Sequence, residues 1–326
     1  HHEAVAVALR TVGVRATLCV WGWDVGDGPH VATVADVLDR QRAVVEAYRD
    51  DPLLDGWVTL VGHDLATDEL LGGAADLARD LGTSMTMHLS PTSADVASYV
   101  ARTGHRPVRH LAELGVLGSE LLLAHAVWID DEEVELLLSS GTAVAACPWA
   151  YLRLGQGVSR HGRHGELVRR GGRVALGCDS GNAGDAIDVL RAAAAFVGLA
   201  RDADCDPLAL GADTAFALAT IDGARAIGMG DRIGSLEAGK RADVVVHRTD
   251  TPAWTPRGDT ALQLVWGTDG RTVRDVWVAG RRVLADGRVT TVDVDAVAAV
   301  AADRRRALLA ETGLTPMPVW PHLDGR

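Results

Sequence analysis

Six short, nearly continuous apolar runs punctuate the chain up to residue 177, at 15–23, 57–62, 84–89, 121–127, 143–147 and 173–177. They are rich in Val, Leu, Ala, Met and Thr and do not alternate with polar residues, the pattern of strands buried on both faces of a parallel sheet. Between them, apolar positions recur at helical spacing over 34–49, 69–81, 94–100, 131–139 and 165–170, and a longer helical region runs through 185–199 and 207–227. Strand alternating with helix is the βαβ rhythm of an α/β fold. Several runs end in a polar residue: Met85-Thr86-Met87-His88, Leu122-Leu123-Ala124-His125 and Ala175-Leu176-Gly177-Cys178-Asp179. Parallel strands that deliver side chains from their C-terminal ends to one mouth are how an α/β barrel builds an active site.

A second region begins after Ile227. A Gly-punctuated turn leads into the β-branched run Val244-Val245-Val246, and further strands are expected at 262–266, 273–279, 281–284 and 288–291, the last two flanking the hairpin dipeptide Asp286-Gly287. These are too few strands to hold a core alone. An Ala/Arg-rich helix is expected over 294–309, ended by Pro316, Pro318 and Pro321. The resulting division is a barrel over 1–229, part of a small β-sandwich over 230–293, and a helix and tail over 294–326.

Composition narrows the function. A chain of 326 residues, 48% hydrophobic, buries a large core, and a net charge of −12 argues against nucleic-acid or anionic-membrane partners. No stretch reaches the roughly 18 uninterrupted apolar residues of a membrane span. Cys19, Cys147, Cys178 and Cys205 have no paired spacing and read as reduced core thiols of a cytoplasmic protein. His105, His110, His161 and His164 sit in Arg-rich stretches and read as solvated. The glycines at 155–157 and 181–184 lack the lysine of a phosphate loop and the strand–turn–helix order of a dinucleotide site.

The segment Ile233-Gly234-Ser235-Leu236-Glu237-Ala238-Gly239-Lys240-Arg241-Ala242-Asp243, the run 219–227, and the strand ends Gly62-His63, His88, His125, Cys147-Pro148 and Asp179, in that order, resemble the amidohydrolase superfamily, in its cytosine-deaminase and chlorohydrolase-like branch. The resemblance runs from about Ala4 to Val289 and implies a (β/α)8 TIM-type barrel with a small composite β-sandwich. Members carry a His-x-His pair on the first barrel strand, which these residues lack, and 13–16 resembles the start of the third strand. The expectation is that two βα units and part of the sandwich lie upstream of His1.

The resemblance also implies a metal-dependent hydrolase of C–N bonds, most readily an aminohydrolase on a flat nitrogen-rich compound, with dechlorination or amide hydrolysis as the alternative chemistry and a non-catalytic binding subunit as the alternative class. One divalent metal is expected, zinc before iron. His88 and Asp179 match ligands on the family's fifth and eighth strands, and His125 matches the sixth-strand histidine that ligates a second metal or contacts the attacking water. Asp179 is expected to take the water's proton, and His125 to orient the attacked centre. His63 matches a substrate-contacting histidine. Trp21, Trp128, Trp149 and Tyr151 follow strand ends and are candidate walls for a stacked ligand, or else a seal on the rim. Where deaminase-like members have a Glu three residues after the fifth-strand His, this chain has Pro91. That leaves three alternatives: proton transfer by Asp179 and His125 alone, a substrate needing no ring protonation, or lost hydrolysis. The run Ser90-Pro91-Thr92-Ser93 reads more simply as a helix-capping segment. A homodimer or larger assembly is expected, with Trp254, Trp266 and Trp320 as candidate interface aromatics.

Overall fold

A computed structural model describes residues 2–184 and 186–314. The six expected strands form as β1 (Ala16–Leu18), β3 (Val58–Gly62), β4 (Met85–Leu89), β5 (Leu121–His125), β6 (Ala143–Ala146) and β7 (Val174–Leu176), and an unexpected short strand, β2 (Leu54–Gly56), precedes β3. β3 to β7 pair in sequence order, all parallel, while β1 pairs with β2 and Gly22 bridges Leu60. Among the described residues this arc of strands does not close on itself. Helices Val34–Tyr48, Asp68–Leu81, Ser93–Thr103, Asp131–Ser140 and His164–Arg169 form where the spacing placed them. Thr33, Thr67, Thr92 and Asp130 cap the first four of these, each accepting a backbone N–H of the first turn. In β4, Met85, Met87 and Leu89 turn outward into the helix layer beside Leu70, Leu71 and Val108, leaving Thr86 and His88 on the opposite face.

The first strand docks through a side chain. Buried Gln41, on the helix Val34–Tyr48, donates from Nε2 to the carbonyls of Val20 (2.6 Å) and Thr59 (2.8 Å) and accepts from Thr59 N–H at 2.9 Å. Gly22 permits this approach, because a Cβ there would lie 2.3 Å from Val37.

β8 (Val244–His247), β9 (Val273–Val278), β10 (Arg281–Ala285) and β11 (Arg288–Val289) form an antiparallel sheet in the order β11-β10-β9-β8. Its hairpins turn at Ala279-Gly280 and Asp286-Gly287, where both central residues have positive φ, as a type I′ turn requires. Arg15, just before β1, clamps Asp243 at 2.7 and 3.0 Å, and Asp243 also accepts from Ala279 N–H at 2.7 Å, so the two sheets share one ion pair.

Several expectations need correction. Residues 262–266 are not a strand: Asp259 caps a turn at Thr260–Leu262 that runs into the π-helical Gln263–Gly267, burying Leu264 and Val265. The helices His2–Val12, Pro107–Glu113 and Pro148–Leu154 were not anticipated, although proline at the first helical position marks the last two. Trp254 is buried inside the fold and offers no interface, whereas Trp266 is half exposed beneath Arg201. Of the cysteines, Cys147 is buried, and Cys19 and Cys205 are exposed. His110 and His164 are buried, not solvated. His1, Asp185, Trp320 and the prolines at 316, 318 and 321 lie outside the described residues.

Candidate metal centre

The ends of β4, β5 and β7 share one rim, and each carries backbone that L-residues rarely adopt. Ser90, His125, Ala126 and Asp179 have φ values of 44°, 80°, 48° and 60°. Such residues cost of order 1 kcal/mol or more each and persist only where their surroundings over-determine them. At His125 the consequence is direct. Strand alternation would send this ring outward with Leu121 and Leu123, but the left-handed step redirects it across the rim. There it stacks on His88, with ring centroids 5.2 Å apart and planes 2° from parallel.

His88 Nδ1 faces the Val61 carbonyl, which can only accept, so Nδ1 carries a proton and Nε2 is the nitrogen left to ligate. A ring nitrogen of His125, the Cys147 sulfur and a carboxylate oxygen of Asp179 lie within 4.8 Å of one another. His125 Nδ1 is buried without a hydrogen-bond partner. Burial, reinforced by the neighbouring His88, pushes the His125 pKa down to about 4, so the imidazole is neutral at pH 7. Burial also pushes the Cys147 thiol up to about 12. Asp179 Oδ1 accepts the Ser180 N–H at 2.6 Å. Neutral imidazole and carboxylate are donor types that bind zinc, so His125 and Asp179 fit a metal of the kind the resemblance implies.

The His125 backbone is itself held from behind. His164 Nε2 donates to its carbonyl at 2.5 Å, and the Tyr151 hydroxyl approaches the same oxygen at 3.4 Å. Tyr151 is therefore a buried brace, not a ligand wall, with its ring stacked on His164 at 5.6 Å. His63, the candidate substrate contact, packs behind the strand end and keeps a buried Nε2 without a hydrogen-bond partner. It is 1% exposed, its Nδ1 lies 3.3 Å from the His88 carbonyl, and its ring sits 4.7 Å from Tyr99. Trp21, 58% exposed, sets its edge 5.9 Å from His88 and stays available to a ligand. Trp149 is engaged with Arg191, donating Nε1–H to its carbonyl at 2.9 Å, and Trp128 stacks on His161 at 3.8 Å. Pro91 precedes Thr92, which forms a capping box with Asp95, as the capping reading anticipated.

Cys147 and His164 were missed as site residues. Cys147 ends a strand, as His88 and His125 do, but an apolar neighbourhood made a core thiol the simpler reading. His164 carries no signal, because it reaches the site through a backbone carbonyl and not through a motif.

The chain belongs to the amidohydrolase family, which matches residues 6–283. It is 33% identical over 293 residues to a 5-methylthioadenosine/S-adenosylhomocysteine deaminase of Syntrophobacter fumaroxidans, covering 90% of this chain and 66% of that protein. A deaminase of the same name from Moorella thermoacetica is 31% identical over 301 residues, covering 91% and 68%. The chain thus spans about two thirds of the length of these curated relatives. Among solved structures it resembles a zinc-bound adenosine deaminase from Xanthomonas campestris, with a TM-score of 0.89 and 28% identity over 95% of this chain and 70% of that one. A triazine hydrolase variant shares the fold, with a TM-score of 0.85 and 23% identity over 92% and 68%.

Proposed function

We propose that the protein is a metal-dependent aminohydrolase that releases ammonia from a flat nitrogen-rich small molecule, with a 5′-modified purine nucleoside as first choice. The observation that carries this reading is that His125, turned by left-handed backbone, lies beside Asp179 in one cluster of donor atoms and stacks on His88. The deaminase names of the relatives support the choice of leaving group and of base. Bound at this rim, a divalent cation, zinc before iron, supplies Lewis acidity and eases ionisation of the attacking water. His88 offers Nε2 while its Nδ1–H is fixed on Val61. Asp179 holds the proton taken from the water and returns it to the leaving amine. His125, kept neutral by burial, is available as a ligand and to orient the attacked centre. Trp21 gives the base a flat surface beside His88.

Pro91 favours a second reading, because it leaves no acid–base side chain where a ring-protonating carboxylate would stand. In that reading the chain hydrolyses a substrate that needs no ring protonation, such as a chlorinated ring or an amide, or binds without turnover. Ammonia release from adenosine, 5′-methylthioadenosine, S-adenosylhomocysteine and guanine, run beside chloride release from a chlorotriazine, decides between the readings. Ammonia from a purine supports the first. Chloride alone, or tight binding without either product, supports the second.

A reduced, cytoplasmic setting belongs to the proposal and is supported by the four free cysteines. Among the described residues no helix is long and apolar enough to cross a membrane. Self-association is proposed as well: the helix Val294–Thr312 buries none of its residues and exposes Val294, Val297, Val300 and Leu308. Sedimentation at micromolar concentration should give a dimer or larger species, and a monomer would overturn that part of the proposal.

A further inference from the structure

We propose that a pocket behind the rim binds a flat, uncharged aromatic heterocycle that donates a ring N–H to His164, and that its occupancy is felt at His125. Binding there needs neither metal nor substrate, so it stands or falls apart from the hydrolase reading.

The pocket, about 240 Å³ in volume, lies outside the arc of strands, among the helices Pro148–Leu154, Val158–His161, His164–Arg169 and Val189–Asp204. An apolar cavity of about 150 Å³ holds benzene, so this one admits a two-ring molecule. Val158, Phe196, Leu199 and Ala200 supply apolar wall. Most of the charged groups around it are already paired. Arg163 pairs with Asp131 and Glu166, and Arg169 with Asp204 at 2.7 Å, so an ionic occupant finds no free counter-charge in the interior. Arg160, exposed at the mouth, makes no ion pair among the described residues and can lie over the outward face of a ring.

The polar contact is His164, itself only 5% exposed. Its Nε2 donates to the His125 carbonyl at 2.5 Å, and burial favours the neutral ring, so Nδ1 carries a bare lone pair. Among the described residues Nδ1 has no hydrogen-bond partner. Gly162 leaves the space beside it clear, because a Cβ there would stand 3.4 Å from Nδ1. Gly162 and His164 both line the pocket, so the orphaned acceptor opens onto it and calls for a donor. The N–H of a fused heterocycle supplies one in the plane of its ring. Donation to Nδ1 draws charge through the imidazole and strengthens the Nε2–H bond that fixes the His125 carbonyl. Occupancy thus reaches the rim through two hydrogen bonds in line.

Indole and benzofuran share a shape, but indole presents an N–H where benzofuran presents an oxygen lone pair. Calorimetric titration of the full chain should give saturable binding of indole at one site, at least about 10-fold tighter than that of benzofuran, the worth of one hydrogen bond. Leu199→Trp, which fills the pocket from a half-buried position, should abolish it. Should that variant fail to fold, nitrogen NMR of isotope-labelled histidines in the parent decides, with the His164 signals assigned by their loss from His164→Gln. Indole should move the Nδ1 resonance upfield, as acceptance of a hydrogen bond does, and the Nε2–H proton downfield. Equal affinities, no saturable binding, or tighter binding of indole-3-carboxylate than of indole would overturn the proposal. Indole binding that survives in folded Leu199→Trp, or leaves both His164 signals unmoved, would put the ligand elsewhere and overturn it as well. A shifted Nδ1 with an unmoved Nε2–H would overturn the link to His125.

Discussion

His125 occupies a position that strand periodicity assigns to the helix-facing layer, and reaches the rim because its own backbone turns left-handed. The carbonyl of that strained residue is fixed by His164 and Tyr151, which makes His164 a positioning residue. His164→Ala should lower kcat about 10- to 100-fold, the range seen when a supporting hydrogen bond behind a metal-site residue is lost. KM should change little, and His164→Gln, which keeps a donor, should recover most of the rate. Equal losses in both variants would reduce His164 to packing. His88 and Asp179 stand out in the sequence because each is a polar residue closing an apolar run. Tyr151 proves harder to place, since it is buried behind the strand end. Sequence position puts it just past a strand end, but whether the next side chain faces the mouth or the layer behind depends on one or two dihedral angles that composition does not encode.

At the scale of elements, strands and caps followed from local rules, and the failures came where tertiary contacts overrode them. The run 262–266 has the apolar residues of a strand, yet Asp259 supplies a helix cap and the buried Leu264 and Val265 fit a helical face. Gln41 is a case that periodicity cannot find, because a polar residue at a buried helix position reads as an error until its partners are known. It adds to the two backbone bonds that Gly22 makes with β3, to Thr59 and from Val61. Gln41→Leu keeps the volume but leaves the Thr59 N–H unpaired in apolar surroundings, which should cost about 2–3 kcal/mol. Urea unfolding measures this as a lowered midpoint at unchanged slope. A midpoint within error of the parent would show that the strand docks without Gln41.

The whole molecule carries the sum of these buried imidazoles. His63, His125 and His164 are all held below the ordinary histidine range, chiefly by burial. An unfolded chain takes up protons near pH 6.5 that the folded one refuses, so stability is complete above that pH and is lost as pH falls through 6.5 toward the folded values. For His125, whose folded pKa is about 4, the loss amounts to about 3 kcal/mol once pH is below both values. The metal-free protein should therefore show a urea midpoint well below its pH 7.5 value at pH 4.5, and His125→Gln should shrink the difference. A pH-independent midpoint would mean the imidazoles are solvated when folded.

The central claim is that a metal held at the rim by His88, His125 and Asp179 drives hydrolysis of a C–N bond. It is tested most directly by titrating chelator-stripped protein with zinc while following ammonia release from the best purine substrate, with metal content measured in the same samples. The account predicts no release without metal and a rate rising linearly to a plateau at a fixed stoichiometry. It further predicts a loss of at least about 10³-fold in Asp179→Asn at matched occupancy, from removal of the proton carrier and of a ligand together. Undiminished ammonia release from metal-free protein, or from fully metallated Asp179→Asn, would contradict it.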